Sequence, residues 1–443
     1  MVVGAGPGGL AAALEAASAG ASVLLLEARD EIGGNGPLST GYLAMVDIQA
    51  QRDLGIEDSL DQWLEDAMLE VERARADFGI YFDEPLWLQL GANTRRVNDM
   101  LGRLGFRLDR LIPRPLQHTV PRMWAVADTS AFERGFRVAL RELGVKTLLR
   151  TRARRLTVAG GRIVGVEAET AGNLMTIEAR QGVVLASGGF QANHEYRERY
   201  QPRHMAVTPY HGVDTCRGDA QVMASAIGAD LINMTAIPPL VMISSGLAEV
   251  CIAVNRDGKR FHDECGPYTD RVQSMLAQPE RLAYYICDGP AAKTKERFVA
   301  HMEDVRTAPN VEGMASLIGC DSANLRATID RWNAFLEAGS DRDPETGRVV
   351  LPEGRLGILE PPFHVMKMIV GANFTCGGLR TGLDMGVLDV YGRPISGLFA
   401  AGDCVGSVNA AAGLGGIHIM GALSLGMIAG RSAAESVAAA TVA

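Results

Sequence analysis

The stretch Met1–Asn35, MVVGAGPGGLAAALEAASAGASVLLLEARDEIGGN, decides the fold. A short apolar strand, a glycine turn, an alanine-rich helix and a second apolar strand ending in an acid follow one another in a single unit. Gly4, Gly6 and Gly9 fit G-x-G-x-x-G. The first permits the tight turn, the second lets backbone approach a pyrophosphate, and the third lets the helix pack on the sheet. The helix N-terminus then offers free N–H groups and the positive end of its dipole to the phosphates. Glu27 closes the run Val23-Leu24-Leu25-Leu26, where its carboxylate can accept hydrogen bonds from an adenosine ribose. The whole unit points to dinucleotide binding rather than to a glycine turn that merely packs. Only Met1–Val3 precede the turn, so further residues are expected upstream.

The residues after Glu27 separate the possible dinucleotides. Ala28–Gly41, ARDEIGGNGPLSTG, is glycine-rich and poor in apolar residues, better suited to running along a cofactor than to filling a core. It resembles the E-x-x-x-x-x-G-G-N segment of FAD enzymes in the fumarate reductase and 3-ketosteroid dehydrogenase group. The resemblance implies that Gly33, Gly34, Asn35, Ser39, Thr40 and Gly41 line the pyrophosphate, ribityl chain and flavin edge, with Ala28 also at the cofactor.

Later segments return to the same cofactor. Gly182–Phe190, GVVLASGGF, reads as a buried central strand whose carboxyl end faces the cofactor crevice. It is similar to the family's V-V-L-A-T-G-G-F and brings Ser187, Gly188 and Gly189 to the site. Gly218-Asp219 before a helix matches G-D-G, which adds Asp219. Gly397–Val405, GLFAAGDCV, resembles G-L-Y-A-A-G-E, whose acid binds ribityl hydroxyls; here that implies Gly402 and Asp403. Ala412–Gly416 opens the last helix, so Gly415 and Ile417 would meet the flavin, and the helix dipole would aim at its N1/C2 carbonyl. In FAD enzymes of this resemblance, backbone at Ala153-Arg154 reaches the adenine.

The expected fold class is α/β: a Rossmann-like, GR2-type FAD-binding domain with an inserted α+β substrate-capping domain. Residues 1–232 and 361–443 would form the first and 233–360 the second. FAD is expected to be non-covalent, because no histidine lies between Gly33 and Ala44, where the succinate dehydrogenase type has its linking residue.

Composition agrees with a small-molecule enzyme. With 43 basic and 52 acidic residues among 443, the net charge of -9 makes no electrostatic case for nucleic acid or an anionic membrane. The seven cysteines are scattered without a C-x-x-C pair, so neither a metal site nor a disulfide framework is expected, and a reducing cytoplasm is. Val405–Gly430 lacks Asp, Glu, Lys and Arg but holds seven glycines, and reads as a buried loop and helix rather than a transmembrane segment.

Periodicity places helices at Asp58–Phe78, Arg95–Leu104 and Thr129–Leu143, a strand at Val145–Leu149, and a hairpin over Thr151–Glu169 turning at Gly160-Gly161. Beyond Asn233 come a strand and D-G turn in Ala248–Glu264, a strand at Leu282–Cys287, and helices at Met314–Gly319 and Ala323–Gly339. The polar stretch Asp341–Gly357 reads as a hinge, and Pro361-Pro362-Phe363 as the return to the first domain.

The activity turns on a few positions. The fumarate-reducing branch grips its dicarboxylate with histidines and arginines, and its H-H-T-M-G-G segment aligns with Asn373–Gly378, which has no histidine. Its N-R-L-G-G arginine aligns with Gly413, its early cap histidine falls in the histidine-free Thr235–Leu240, and its acid arginine aligns with Tyr268. Reduction of fumarate itself is therefore not expected. Glu264-Cys265-Gly266-Pro267-Tyr268 resembles instead the E-S-x-P-Y of 3-ketosteroid dehydrogenases, whose tyrosine removes a proton next to a ketone while flavin N5 takes hydride. Phenols ordinarily ionise near about 10. Such a base therefore needs positive charge beside it, and Arg271 is placed to supply that. The alternative for Tyr268 is a tyrosine that simply packs over the flavin.

The second tyrosine of the steroid enzymes is missing from NAAAG at Asn409–Gly413. Carbonyl polarisation would then fall to backbone N–H groups at Gly415 or Gly416, with Asn409, His418 or Asn373 as side-chain donors. His118 and Tyr42 are weaker candidates. Apolar Phe374, Ile237, Pro238, Leu240 and Met242 imply a neutral, hydrophobic small-molecule substrate.

The expected function is FAD-dependent α,β-dehydrogenation of a carbonyl compound such as a ketosteroid or cyclic ketone. Tyr268 would take the proton, and an external electron acceptor would serve the flavin. The alternatives are reduction of an activated C=C bond other than fumarate's by an external donor, and a flavin-binding protein that works through association. Oligomeric state is not legible in the sequence.

Overall fold

The computed structural model describes residues 1–75, 79–114, 117–201, 209–236, 240–241, 245–300, 302, 304–371, 373–407 and 409–436. It forms two compact units, Met1–Pro238 with Asn373–Ala443, and Pro239–Ala372.

The elements that build the first unit up to the insertion are β1 (Val2–Val3), α1 (Pro7–Ser18), β2 (Leu24–Leu26), α2 (Leu60–Arg75), α3 (Glu84–Arg103), α4 (Ala131–Glu142), β3 (Lys146–Leu148), β4 (Thr151–Ala159), β5 (Arg162–Thr170), β6 (Asn173–Glu178), β7 (Val183–Leu185) and α5 (Asp219–Ser225). The inserted unit contributes β8 (Ile252–Val254), α6 (Tyr268–Leu276), β9 (Leu282–Cys287), β10 (Val305–Ala308), α7 (Val311–Ile318), α8 (Ser322–Glu337) and β11 (Phe363–Gly371). The chain ends with β12 (Gly386–Leu388), β13 (Pro394–Ala400) and α9 (Ile417–Glu435) in the first unit.

The first unit is an α/β fold. Its main sheet runs β12-β13-β7-β1-β2-β3, parallel throughout except where β12 meets β13. Val183, Val184 and Leu185 of β7 are buried between β1 and β13, as a continuous apolar run in a covered parallel sheet should be. Helices α1 and α9 lie close together because both are lined with small residues. A Cβ on Gly426 would stand 2.3 Å from the Gly8 carbonyl oxygen, and one on Gly430 2.2 Å from that of Ala12. Among the described residues α9 is the one helix long and apolar enough to cross a membrane, and 67% of its apolar window is buried inside the protein. Its glycines serve helix packing.

Two elements differ from the sequence expectation here. Helix α3 begins at Glu84 rather than Arg95: the Asp83 carboxylate accepts from the Leu86 N–H (3.1 Å) and Pro85 occupies the first turn, a strong start signal hidden in a mixed sequence. The Thr151–Glu169 hairpin gains a third strand, β6, whose side chains are mostly exposed and so lack apolar alternation. Residues 76–78, at the end of the expected helix Asp58–Phe78, lie outside the described residues.

The second unit is α+β. Antiparallel β8, β9 and β11 form its sheet, with β10 pairing to the same β11 and α7 and α8 packing through Met314, Ile318, Leu325, Ile329 and Trp332. Strand β11 follows Pro361-Pro362 yet pairs along its length with β9, from Leu282↔Ile369 to Cys287↔His364. Its ladder bonds hold it in this unit, and the chain re-enters the first unit at Asn373. The polar stretch Asp341–Gly357 is also no free hinge. Arg348 is fully buried and Asp343 nearly so, both within an ion cluster described below.

Candidate active site

The cradle is made by residues that can do without side chains. Gly4 has φ +99°, and a Cβ there would sit 2.4 Å from the Ala186 carbonyl oxygen. A Cβ on Gly9 would lie 1.9 Å from the Gly4 oxygen, which is how closely α1 packs on the turn. At Gly6, by contrast, a Cβ would meet nothing within 4 Å. Two glycines are therefore required by the protein's own packing, and the third borders open space where a ligand can approach backbone. Glu27 is buried, its carboxylate accepting from the N–H groups of Ala5 (2.7 Å) and Arg29 (2.8 Å), with Ala28 between them in sequence. The acid thus pins the turn as well as standing at the end of β2.

The segment after Glu27 is hooked onto this turn. Gly33 donates its N–H to the Ala5 carbonyl (2.8 Å), and a Cβ on Gly34 would approach the Gly6 Cα to 3.0 Å. Asn35 accepts from the Val213 N–H (2.9 Å) and donates to the Tyr210 hydroxyl (3.2 Å), fastening loop 209–213. Ser39 donates to the Gly36 carbonyl and accepts from the Gly41 N–H (3.1 Å), so it shapes the turn that carries Thr40. The Ser187 hydroxyl accepts from the Ala220 N–H (3.1 Å) at the start of α5. Gly188 has φ +79°, and Gly189 has no space for a side chain before Thr375 (2.3 Å). Asp219 pairs with Arg152 (2.9 Å), next to buried Ala153 of β4.

Beyond β13, Gly402 has φ +74° and Asp403 carries a carboxyl whose pKa burial pushes up to about 6, with the Asn409 hydrogen bond pulling the other way. Asn409 donates to the Thr375 carbonyl (2.9 Å) and to Asp403 Oδ1 (3.2 Å). Both of its donors being engaged, its Oδ1 is the acceptor facing His418 Nδ1 at 2.8 Å, so the imidazole carries its proton on Nδ1. Burial pushes the His418 pKa down to about 3, and the ring packs on Phe374 with centroids 3.6 Å apart. This overturns the expectation that Asn409 or His418 donates to a substrate carbonyl, since the donors of both are occupied within the protein.

Gly415 is corrected in the same way. Its N–H is donated to Gln117 Oε1 (3.0 Å) and its carbonyl faces His118 Nε2 (2.8 Å). Gly416, φ +80°, caps buried Ile417 at the start of α9 and accepts the Ala44 N–H on its carbonyl (2.9 Å). His118 is stacked parallel to Trp63 at 6.4 Å, its pKa pushed down to about 4 by burial and then by Arg122. Trp63 stacks on Trp87 at 4.7 Å, and Tyr42 is buried opposite Ala125.

A dinucleotide with a polyhydroxylated chain fits these residues. Gly6 leaves backbone open, Asp403 offers a carboxylate, and Ser407 Oγ and Asn373 Oδ1 are buried without a partner among the described residues, as atoms awaiting a ligand would be. Gly6, Glu27, Gly33, Gly34, Gly402, Asp403 and the start of α9 would hold it.

The second unit supplies a separate constellation. Tyr268 is the first residue of α6, and Arg271, one turn on and almost fully buried, lays its guanidinium 4.6 Å from the Tyr268 ring centroid. Arg271 also donates to the Glu264 carbonyl (2.7 Å), and its Nε is buried without a partner among the described residues. Glu264 lies fully buried between Arg260 (2.8 Å) and Arg348 (2.9 Å), which hold its pKa down to about 2 against the opposing effect of burial. Asp343 completes the cluster on Arg260 (2.7 Å), and both arginines lie over the Trp332 ring. Of the apolar pocket residues expected, Phe374 is buried; Ile237, Pro238 and Met242 lie outside the described residues, and the Leu240 side chain is not described.

A family model described as an FAD binding domain matches residues 1–419. The chain belongs to this family. The flavoprotein is 31% identical over 458 residues to a probable fumarate reductase, Ifc3, of Shewanella frigidimarina, covering 98% of this chain and 74% of that one. It is 28% identical to the 4-oxocyclohexanecarboxylate 2-dehydrogenase of Sinomonas cyclohexanicum, covering 99% of this chain and 93% of that protein. Among solved structures it superposes on a 3-ketosteroid-Δ4-(5α)-dehydrogenase from Rhodococcus jostii RHA1 with a TM-score of 0.72 and 26% identity, covering 98% of this chain and 96% of that one. It is an FAD-dependent oxidoreductase with the α/β FAD-binding fold of these enzymes.

Several residues that hold these elements in place carry no signal in the sequence. Gln117, which engages Gly415 from 298 positions away, sits in an unremarkable loop, and Arg348 lies in a stretch that reads as linker. Glu70, buried on α2, appears as one acid on an amphipathic helix.

Proposed function

We propose that this flavoprotein desaturates the α,β carbon–carbon bond of a neutral, largely apolar carbonyl compound, with Tyr268 as proton acceptor. The observation that carries this reading is the placement of Tyr268 beside a buried guanidinium that is itself fixed by the Glu264 carbonyl, 4.6 Å from the ring centroid, so that the phenol is held in one orientation at the start of α6. Tyr268 takes the proton from the carbon next to the carbonyl. Arg271 holds the ring in place, and its Nε, unpartnered among the described residues, keeps a further donor in that neighbourhood. Gly6, Glu27, Gly33, Gly34, Gly402 and Asp403 would hold FAD non-covalently, and the cofactor would supply the acceptor for the hydride from the β-carbon, with an external acceptor for its electrons.

A second reading runs the same residues in reverse, with Tyr268 delivering a proton during reduction of an activated alkene. It is favoured by the similarity to a probable fumarate reductase, although Phe374 and Gly413 replace the residues with which that branch grips a dicarboxylate. Under anaerobic conditions a saturated cyclic ketone should bleach the flavin if desaturation is the reaction. Reoxidation of reduced protein by an enone, without bleaching by the ketone, would favour the reductase. Tyr268→Phe should lower either rate at least about a hundredfold while keeping FAD bound. Unchanged rates in that variant would remove Tyr268 from the chemistry and leave it a packing residue.

A further inference from the structure

Asn35 closes the glycine segment that hooks onto the nucleotide turn, yet its side chain is committed to another part of the chain. Its Oδ1 accepts from the Val213 N–H (2.9 Å), and its Nδ2 faces the Tyr210 hydroxyl (3.2 Å) and Cys216 Sγ (3.8 Å). Both amide protons are thus directed at residues 210–216 rather than at a cofactor. The loop is shaped to receive them. A Cβ on Gly212 would stand 2.2 Å from the Tyr210 hydroxyl oxygen and 2.8 Å from Asn35 Oδ1, so a glycine there lets the two side chains close together.

The far end of the loop is fixed to the opposite wall of the cradle. The Cys216 carbonyl accepts from the Ala192 N–H (2.9 Å), the Gly218 N–H is donated to the Gly189 carbonyl (3.1 Å), and a Cβ on Gly188 would come within 3.0 Å of Cys216 Sγ. Residues 209–216 therefore cross from the segment that lies against Gly6 to the strand end at 187–189. Burial pushes the Cys216 thiol up to about 12 against the Tyr210 hydrogen bond, and Asp403, Glu27 and Asp219 add to the rise. The thiol stands within electrostatic reach of all three acids of the cradle. The two attachments differ in kind: backbone hydrogen bonds hold the far end, whereas the near end hangs on the side chain of Asn35, in a stretch without helix or strand. Contacts of the second kind open first.

We propose that residues 209–216 form a strap across the cofactor site, that Asn35 is its latch, and that unlatching sets how fast FAD enters and leaves. Asn35 is then a positioning residue that acts on the cofactor through the strap. This rests on FAD binding and not on the carbonyl reading, so it holds or fails independently of desaturation.

Apoprotein is mixed with increasing FAD in a stopped flow, and the quenching of flavin fluorescence gives the rate of entry. Release is read by chasing radiolabelled FAD from the holoprotein with unlabelled FAD. In wild type the rate of entry should level off at high FAD, where opening of the strap becomes limiting. Asn35→Ala should raise that plateau and the release rate together, each by about tenfold, and leave Kd within about threefold, because the latch is made of protein on both sides. Gly212→Ala, whose methyl displaces Tyr210 from the latch without touching the glycine segment, should do the same. A rate that stays linear in FAD, with no plateau, overturns the proposal on wild type alone. Faster release with unchanged entry in Asn35→Ala would make that residue a direct cofactor contact and overturn it too, as would unchanged rates in both variants. Should Asn35→Ala fold poorly by its apoprotein melting curve, Gly212→Ala decides by the same two rates.

Discussion

The cofactor cradle and the ion cluster of the inserted unit are both tightly built, by opposite means. The cradle works by leaving atoms out: Gly4 and Gly9 bring backbone within distances no side chain tolerates, and Gly6 keeps one direction open. The cluster works by putting charge in, with Glu264, Arg260, Arg348 and Asp343 buried together and satisfied by one another. The first arrangement is insensitive to pH and intolerant of volume. The second tolerates little loss of charge, because removing one member of a buried group leaves the others uncompensated.

The sharpest way to break this comparison is in the cluster. Glu264→Gln, isosteric but uncharged, should cost about 3–5 kcal/mol by stranding two arginines, read as a lower urea midpoint in the second unit. The pH dependence has a definite sign. The Glu264 pKa is held down from 4.5 to about 2, so its contribution is fully present above 4.5 and is lost as pH falls towards about 2. Wild type should lose stability in that window and Glu264→Gln should lack that part of the loss; a variant as stable as wild type at neutral pH would show that the cluster holds nothing.

Volume is the corresponding probe of the cradle. Gly9→Ala should cost about 3 kcal/mol and abolish FAD retention, since backbone rather than a flexible side chain blocks the new Cβ. Gly6→Ala should leave the melting temperature of the apoprotein unchanged and weaken FAD alone. If both variants melt alike, the distinction between packing and ligand-facing glycines fails.

Asp403 tests where the two strategies meet, as a charge inside the cradle. Its pKa is raised from 3.8 to about 6, so its effect on folding has the opposite sign: the apoprotein should lose stability as pH rises from 3.8 through about 6. A carboxylate that accepts ribityl hydroxyls binds better ionised, so FAD affinity should improve by about tenfold over the same rise. Asp403→Asn should flatten both profiles, and an FAD affinity with no pH dependence in wild type would take Asp403 out of the cofactor site. The smallest effect is expected at Arg271→Lys, which keeps the charge but loses the planar fork that stacks on Tyr268 and reaches the Glu264 carbonyl. A fall in turnover of about fivefold with unchanged FAD content would fit a positioning role.

The parts of the site legible in the sequence are those whose cause is local. The turn at Gly4–Gly9, the acid at Glu27, the strand end at Ser187–Gly189 and the Gly402-Asp403 corner each depend on backbone geometry within a few residues. Tyr268 and Arg271 share the first turn of α6, so their proximity too can be read from spacing. The start of α3 is obscured because its cap, Asp83, precedes a sequence without clean periodicity. The donors expected at Gly415, Asn409 and His418 fail for a different reason: whether an N–H is available depends on what else it meets, and Gln117, Thr375 and Asn409 meet them through the fold.

The sequence by itself determined the cofactor class, the α/β architecture and the family, because glycine positions and apolar runs are short-range constraints that any chain folding this way must obey. Only the tertiary structure decided which polar groups remain for a ligand and which side chain fills the space beside Gly413. Those properties are set by residues far apart in the chain and close in space, where burial makes an occupied donor or a neighbouring carboxylate count for far more than it would in water.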